Sequence, residues 1–305
     1  MFDLMVHADW SVDPRKRWAA RARRNGTEWA VDTPFQIVST ASFLDDAFVE
    51  ARTGSCLLGF DFPIGMPAPY GALTGFGGFR DALPSLGEGE WERFFDVAEA
   101  PADISVQRPF YPRVARKGVS PKEIVAAIGV AGVNDLFRMS ERKTAYRNAA
   151  CALFWTLGGN QVGKAALSGW RDIVRPAILR GAALWPFDGT LAELSKAQGL
   201  VIAETYPAEA YWMVDAAFLP GQSKRRCGDR QDKADAILAW ASRNGVSLSE
   251  AARLAVRDGF GDDRTGEDRF DAFLGLLKMI EVASGRRPEA TAATDRHWEG
   301  WILGR

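Results

Sequence analysis

Five carboxylates in this 305-residue chain stand where carboxylates can do joint chemistry. Asp9, Asp61 and Glu204 each follow a short apolar run that reads as a buried strand. Asp268 and Asp271 open an apolar helix and lie only about 60° apart around its axis. Gly275, one turn further on, leaves room for a close approach at that face. In an open α/β sheet, sites form beyond the carboxyl ends of the strands, so these side chains can meet. Clustered carboxylates repel one another and call for a cation, and an all-oxygen set suits Mg²⁺ or Mn²⁺. Two such ions about 4 Å apart can activate a water and stabilise the leaving oxygen of a phosphodiester. Plainer roles stand beside this one. An aspartate after a strand is often a turn former, Thr265 and Asp268 have the spacing of a capping box, and Glu209 is a second acid close to Glu204.

Other chemistries find little support. His7 and His297 are the two histidines, one inside a strand and one in the tail, which argues against a histidine triad or a histidine-rich metal site. Cys56, Cys151 and Cys227 form no CxxC pair, which disfavours zinc or a disulfide framework and fits a reducing compartment. There is no Walker motif and no strand-associated GxGxxG. Candidate substrate contacts are Ser11, just beyond Asp9, then Lys224, Arg225 and Lys233 in a basic loop, and Arg142 on a helix expected over 141–157. Asp229 and Asp232 dilute the basic loop, so a merely solvated loop is the competing reading.

The elements that must position the acids come next. A strand over 4–8 delivers Asp9. Residues 17–24 and 27–31 flank Asn25-Gly26, the dipeptide of a type I′ hairpin turn. That turn puts Ala22 opposite Trp29, Ala20 opposite Val31 and Arg23 opposite Glu28. A helix over 42–52, with Ser42 as its N-cap, leads to a strand over 56–60 that ends on Asp61. A strand over 200–203 ends on Glu204. The last strong element spans 267–284, with Phe270, Phe273, Leu274, Leu277 and Ile280 on its core face.

This order, β-β-β-α-β and then β-α, with aspartates closing the first and fourth strands, resembles the RNase H-like superfamily. Within it, Asp9-Trp10-Ser11, the run Gly59 to Gly65, Glu204-Thr205-Tyr206-Pro207 and Asp268-Arg269-Phe270-Asp271-Ala272 are similar to the domain of unknown function 429 family of predicted RNase H-like nucleases. The resemblance covers roughly 1–67 and 195–305 and extends to 141–148. It implies an RNase H-like α/β fold with a mixed sheet and a metal-dependent nuclease activity. Asp9, Asp61, Asp268 and Asp271 would be its metal ligands, and the last two look like the final-helix acidic pair of Holliday-junction resolvases. Glu204 matches a strand-end glutamate of less defined role.

The domain expectation is an RNase H-like domain over 1–64 and 196–305, interrupted by a mostly helical insertion over 65–195. Helices are expected there at 90–98, 121–131, 141–157 and 170–184. Such an insertion can gate the site or restrict it to a small phosphodiester instead of a nucleic acid. Net charge is −1, so any phosphate binding must be local. Eleven tryptophans point to bulky packing or a stacking surface. The N-terminus lacks a signal-peptide pattern and no apolar stretch is long enough to span a bilayer, so the expectation is a cytoplasmic protein without membrane contact. Two other functions fit the same pattern of elements. One is a kinase or ATPase on the related actin-like fold, against which the glycine-free first turn argues. The other is a non-catalytic binding module.

Overall fold

The computed structural model describes residues 1–115, 117–142, 150–157, 162–290 and 295–305. They divide into two units, Met1–Asp61 with Gly189–Ala292 and Ile302–Arg305, and Phe62–Asp188 with Ala293–Trp301. No helix among the described residues is long and apolar enough to cross a membrane.

The first unit is an α/β fold around a mixed sheet. Its strands are β1 (Leu4–Asp9), β2 (Trp18–Asn25), β3 (Glu28–Val31), β4 (Phe35–Gln36), β5 (Ser55–Phe60), β6 (Gly199–Glu204) and β7 (Val246–Leu248). The order is β6-β5-β1-β2-β3-β7, with β4 beside the start of β2. β1, β5 and β6 are mutually parallel, β2 is antiparallel to β1 and β3, and β7 is parallel to β3. Parallel strands covered on both faces read as unbroken apolar runs, and all six residues of β5 are buried. Helix α1 (Thr40–Ala51) covers one face, where its Phe43 meets Phe60 with ring centroids 6.3 Å apart. The other helices of this unit are α2 (Pro207–Met213), α3 (Cys227–Gln231), α4 (Ala234–Arg243), α5 (Glu250–Arg257) and α6 (Gly266–Ala283). α6 lies on the opposite face from α1 and is buried almost all round.

Two local expectations are corrected. The hairpin pairs Asn25 with Glu28 and Ala22 with Val31, so the turn residues are Gly26 and Thr27 rather than Asn25 and Gly26. Gly26 alone takes a positive φ, +63°, as a turn with one left-handed residue in its first central position requires. The slip is two residues, so no side chain changes face: Ala20, Ala22, Trp29 and Val31 stay buried together. Arg23 now faces Ala30 and pairs with Glu50 of α1 instead of Glu28. Helix α1 starts earlier than expected, with Ser39 as N-cap accepting from the Ser42 N–H at 3.2 Å.

The second unit is less helical than its sequence suggests. The helix expected over 90–98 is one 3-10 turn, Gly89–Trp91, and that over 121–131 is Lys122–Ile128. Of the one expected over 141–157, Glu141 closes a 3-10 turn, residues 150–157 are non-helical, and 143–149 lie outside the described residues. The longest helical stretch starts earlier, at Val162, and runs through a π turn, Trp170–Val174, to Leu179. Pro176, which lacks an N–H, lies two residues beyond the end of that π turn. The apolar residues here are largely aromatics that serve a cluster rather than helix faces. Phe94 alone meets Trp91, Phe95, Phe110 and Trp170. Residues 295–301, expected with the first unit, belong to this one.

Candidate functional site

Strand alternation decides what reaches the site. In β1, His7 and Asp9 share the face covered by α6, because His7 packs against Gly275 there. His7 pairs with Gly59 in β5, and Gly59 faces Met279 of α6, so Asp61 projects from the end of β5 to the same side as Asp9. The Trp10 N–H donates to Asp61 Oδ1 at 2.7 Å, and the carboxyls of Asp9 and Asp61 hydrogen-bond each other. Burial pushes Asp9 well above the ordinary carboxylate range, and the nearby Asp61, Asp271 and Asp268 push it further. Burial also raises Asp61 to about 6, against the lowering pull of the Trp10 N–H and Asp9.

Helix α6 supplies Asp268 and Asp271 one turn apart, both buried. The two carboxylates meet different surroundings. Asp271 is engaged on both oxygens: the Tyr211 hydroxyl of α2 donates to Oδ1 and the Lys224 ammonium to Oδ2. Asp268 is 8 % exposed, and its Oδ2 has no hydrogen-bond partner among the described residues. Burial lifts Asp268 to about 7, with Glu267 and Asp271 adding and Lys16 and Lys224 opposing. The capping-box role is not used, since Thr265 caps α6 without a side-chain bond. Burial disfavours the charge of Lys224, but Asp271, Asp9 and Glu267 outweigh it and raise its pKa. The Tyr211 hydroxyl is raised by burial and by Asp271.

The structure thus places Asp9, Asp61, Asp268, Asp271 and Lys224 within electrostatic reach of one another, and it leaves out the other expected residues. Glu204 pairs with Phe60, so its side chain leaves the sheet on the α1 face, away from Asp9 and Asp61. The next residue, Thr205, is the one on the site face, and its hydroxyl serves His7. Ser11 sits in the loop after β1, where its hydroxyl accepts from the Asp13 N–H at 3.2 Å and its carbonyl from Arg17 at 2.6 Å. Arg225 points outward, 3.8 Å from Glu267. Lys233 is buried, donating to Gln222 at 2.7 Å over the Phe218 ring, which is a packing role. Arg142 belongs to the second unit, where it ends a 3-10 turn.

Tyr211 and Lys16 are site neighbours that the sequence reading did not single out. Tyr211 carries no local signal, because its meeting with Asp271 spans 60 residues. Lys224 was expected to contact phosphate and is found on a carboxylate instead.

Chemically, this is an oxygen-only donor cluster with too little positive charge. Asp9, Asp61 and Asp268 are all raised, and one buried carboxylate oxygen is unpartnered. Such a set suits a hard divalent ion. With the side chains as they stand, no three His, Cys, Asp or Glu residues among those described converge as a metal-binding group, and Asp271 is held by Lys224 and Tyr211. Compared with protein-family models, curated proteins and solved structures, the chain matches none.

Proposed function

We propose that this protein is a divalent-metal-dependent hydrolase of phosphodiesters, nuclease-like, on an RNase H-like sheet of the domain of unknown function 429 type. The strand order β3-β2-β1-β5-β6, in which β2 runs against the other four, supports the fold reading. The observation that carries the functional reading is Asp268, a buried carboxylate with an unpartnered oxygen beside Asp9, Asp61 and Asp271. An orphaned buried acceptor costs about 1–3 kcal/mol, and a charged one more, so it needs a ligand to justify it.

Asp9, Asp61 and Asp268 would hold Mg²⁺ or Mn²⁺. When bound, the metal supplies an activated water and a Lewis acid for the phosphoryl group. The chain's own residues do the rest. The Trp10 N–H fixes the Asp61 rotamer. Tyr211 and Lys224 hold Asp271 still, and Lys16, whose charge reaches Asp268, adds positive potential at an edge where an anionic substrate can approach. No histidine base is needed, since His7 is buried and fully bonded.

The test is turnover of single-stranded and duplex DNA, RNA and a small phosphodiester with and without Mn²⁺. Metal-dependent hydrolysis is expected with at least one of these, and Asp9→Asn should abolish it. Unchanged turnover in that variant would overturn the assignment.

A further inference from the structure

Lys224 is the cluster's most unusual member. Its loop presents one basic residue inward and its neighbours outward: Arg225 is 82 % exposed, and Arg226 turns back onto Asp229 at 2.6 Å. The Lys224 backbone is clamped. Arg230, 2 % exposed, donates to the carbonyls of Lys224 at 2.5 Å, Gly259 at 2.6 Å and Gly261 at 2.5 Å. It therefore ties the Lys224 loop to the segment that leads into α6. Gly266 makes this possible, since a Cβ there would lie 2.3 Å from Arg230 Nη2. Arg230 thus fixes the backbone position from which the Lys224 side chain reaches Asp271.

Both oxygens of Asp271 are engaged, one by Lys224 and the other by Tyr211, so a metal ion there would have to share each oxygen with a donor already bonded and, on the Lys224 side, with a positive charge. Asp268 is the reverse, with a buried oxygen unpartnered. Asp9 and Asp61 bond each other, a contact that a cation between them would replace. One divalent ion plus one ammonium nearly neutralise four carboxylates. A second divalent ion would have to displace the half-buried Lys224 ammonium from the buried Asp271 carboxylate.

We propose that Lys224 is a built-in cation standing in for a second metal ion. The site then takes one divalent ion, on Asp9, Asp61 and Asp268, and Asp271 is a positioning residue held by Lys224 and Tyr211. This rests on the metal-centre reading above and adds to it the stoichiometry and the residue that sets it.

The experiment is Mn²⁺ titration of the full chain by calorimetry, with electron paramagnetic resonance of the loaded protein. Wild type should bind one ion per chain. Lys224→Met, which keeps the side-chain length but removes the positive charge and frees Oδ2 of Asp271, should bind two and show the dipolar broadening of ions about 4 Å apart. Lys224→Arg should bind one. Two ions in wild type overturn the inference without needing any variant. A single ion in folded Lys224→Met, as judged by an unchanged melting profile, also overturns it while leaving the metal centre intact. Absence of Mn²⁺ binding in both wild type and Lys224→Met overturns the metal centre as well, so the two failures are distinguishable.

Discussion

His7 and Asp9 are two residues apart on β1, on the same face of the sheet, under the same helix α6, yet their surroundings are opposite. The His7 ring fills the space that Gly275 leaves by lacking a side chain. Its Nδ1 donates to the Ala272 carbonyl at 3.0 Å, which can only accept, and the Thr205 hydroxyl donates to Nε2 at 2.8 Å. Burial drives the ring down to about 3, so it is neutral and complete. Asp9, by contrast, shares its surroundings with three other carboxylates and is pushed up by all of them. A satisfied buried polar group is scaffold, whereas crowded carboxylates are the kind of group that a cation stabilises. The same helix provides both within two turns, so the crowded carboxylates adjoin a fully bonded stretch of core.

Replacing Asp268 by Asn should break the comparison most strongly. Mn²⁺ affinity is expected to fall more than a hundredfold, beyond the roughly 10–100-fold typical of losing only an outer-sphere support. Metal-free stability should hold or rise, because a repelled carboxylate is gone. The pH dependence gives the sign. Folded Asp268 holds its proton up to about 7, whereas an unfolded carboxyl loses it near 3.8. The folded state therefore binds the extra proton between these values, and metal-free stability falls as pH rises across that window. His7 acts the other way. Its ring is protonated below about 6.5 when unfolded but only near 3 when folded, so its contribution is lost as pH falls. Chemical denaturation from pH 4 to 7 should show the falling slope in metal-free wild type, a shallower one in Asp268→Asn, and a rising one when Mn²⁺ is saturating. A wild-type slope that rises without metal would show that the carboxylates are not under strain.

Gly275→Ala tests the scaffold half. Helix propensity favours alanine by about 1 kcal/mol, but its Cβ would lie 2.2 Å from the His7 ring, which two hydrogen bonds hold in place. Overpacking of this sort costs about 1–3 kcal/mol, so the clash should win and lower the melting temperature. Mn²⁺ affinity of the folded fraction should change less than threefold. Loss of metal binding without loss of stability would mean the two halves of α6 are not separable.

What could be read in advance was periodic or local. Strands β1, β2, β3, β5 and β6 were legible as apolar runs and a hairpin, the short β4 and β7 were not, and the hairpin slip left every side chain on its expected face because the register moved by two. The pair Asp268 and Asp271 was legible because helix geometry alone brings them together. Tyr211 and the true partner of Lys224 were not legible, because tertiary contacts across 60 and 47 residues decide them. The second unit misled for another reason. Its tryptophans and phenylalanines recur at spacings compatible with helices, yet they converge from turns onto Phe94 and Trp170.

Glu204 shows how narrow the margin is, and it carries the smallest expected effect. The end of an apolar strand is easy to find, but which of its last two residues faces the helix depends on alternation, where one residue reverses the answer. Glu204 pairs with Phe60, whose ring lies under Phe43 of α1 and edge-on to Trp10, 5.9 Å away. Its carboxylate is therefore separated from Asp9 and Asp61 by the sheet itself. Glu204→Gln keeps shape and hydrogen-bonding capacity while removing the charge, so it isolates electrostatics from packing. Mn²⁺ affinity and turnover should stay within about twofold of wild type, since a charge on the far side of the sheet can perturb a metal but not ligate it. A hundredfold loss of affinity in this variant would place Glu204 among the ligands and would mean that β6 rolls toward α6 when metal binds.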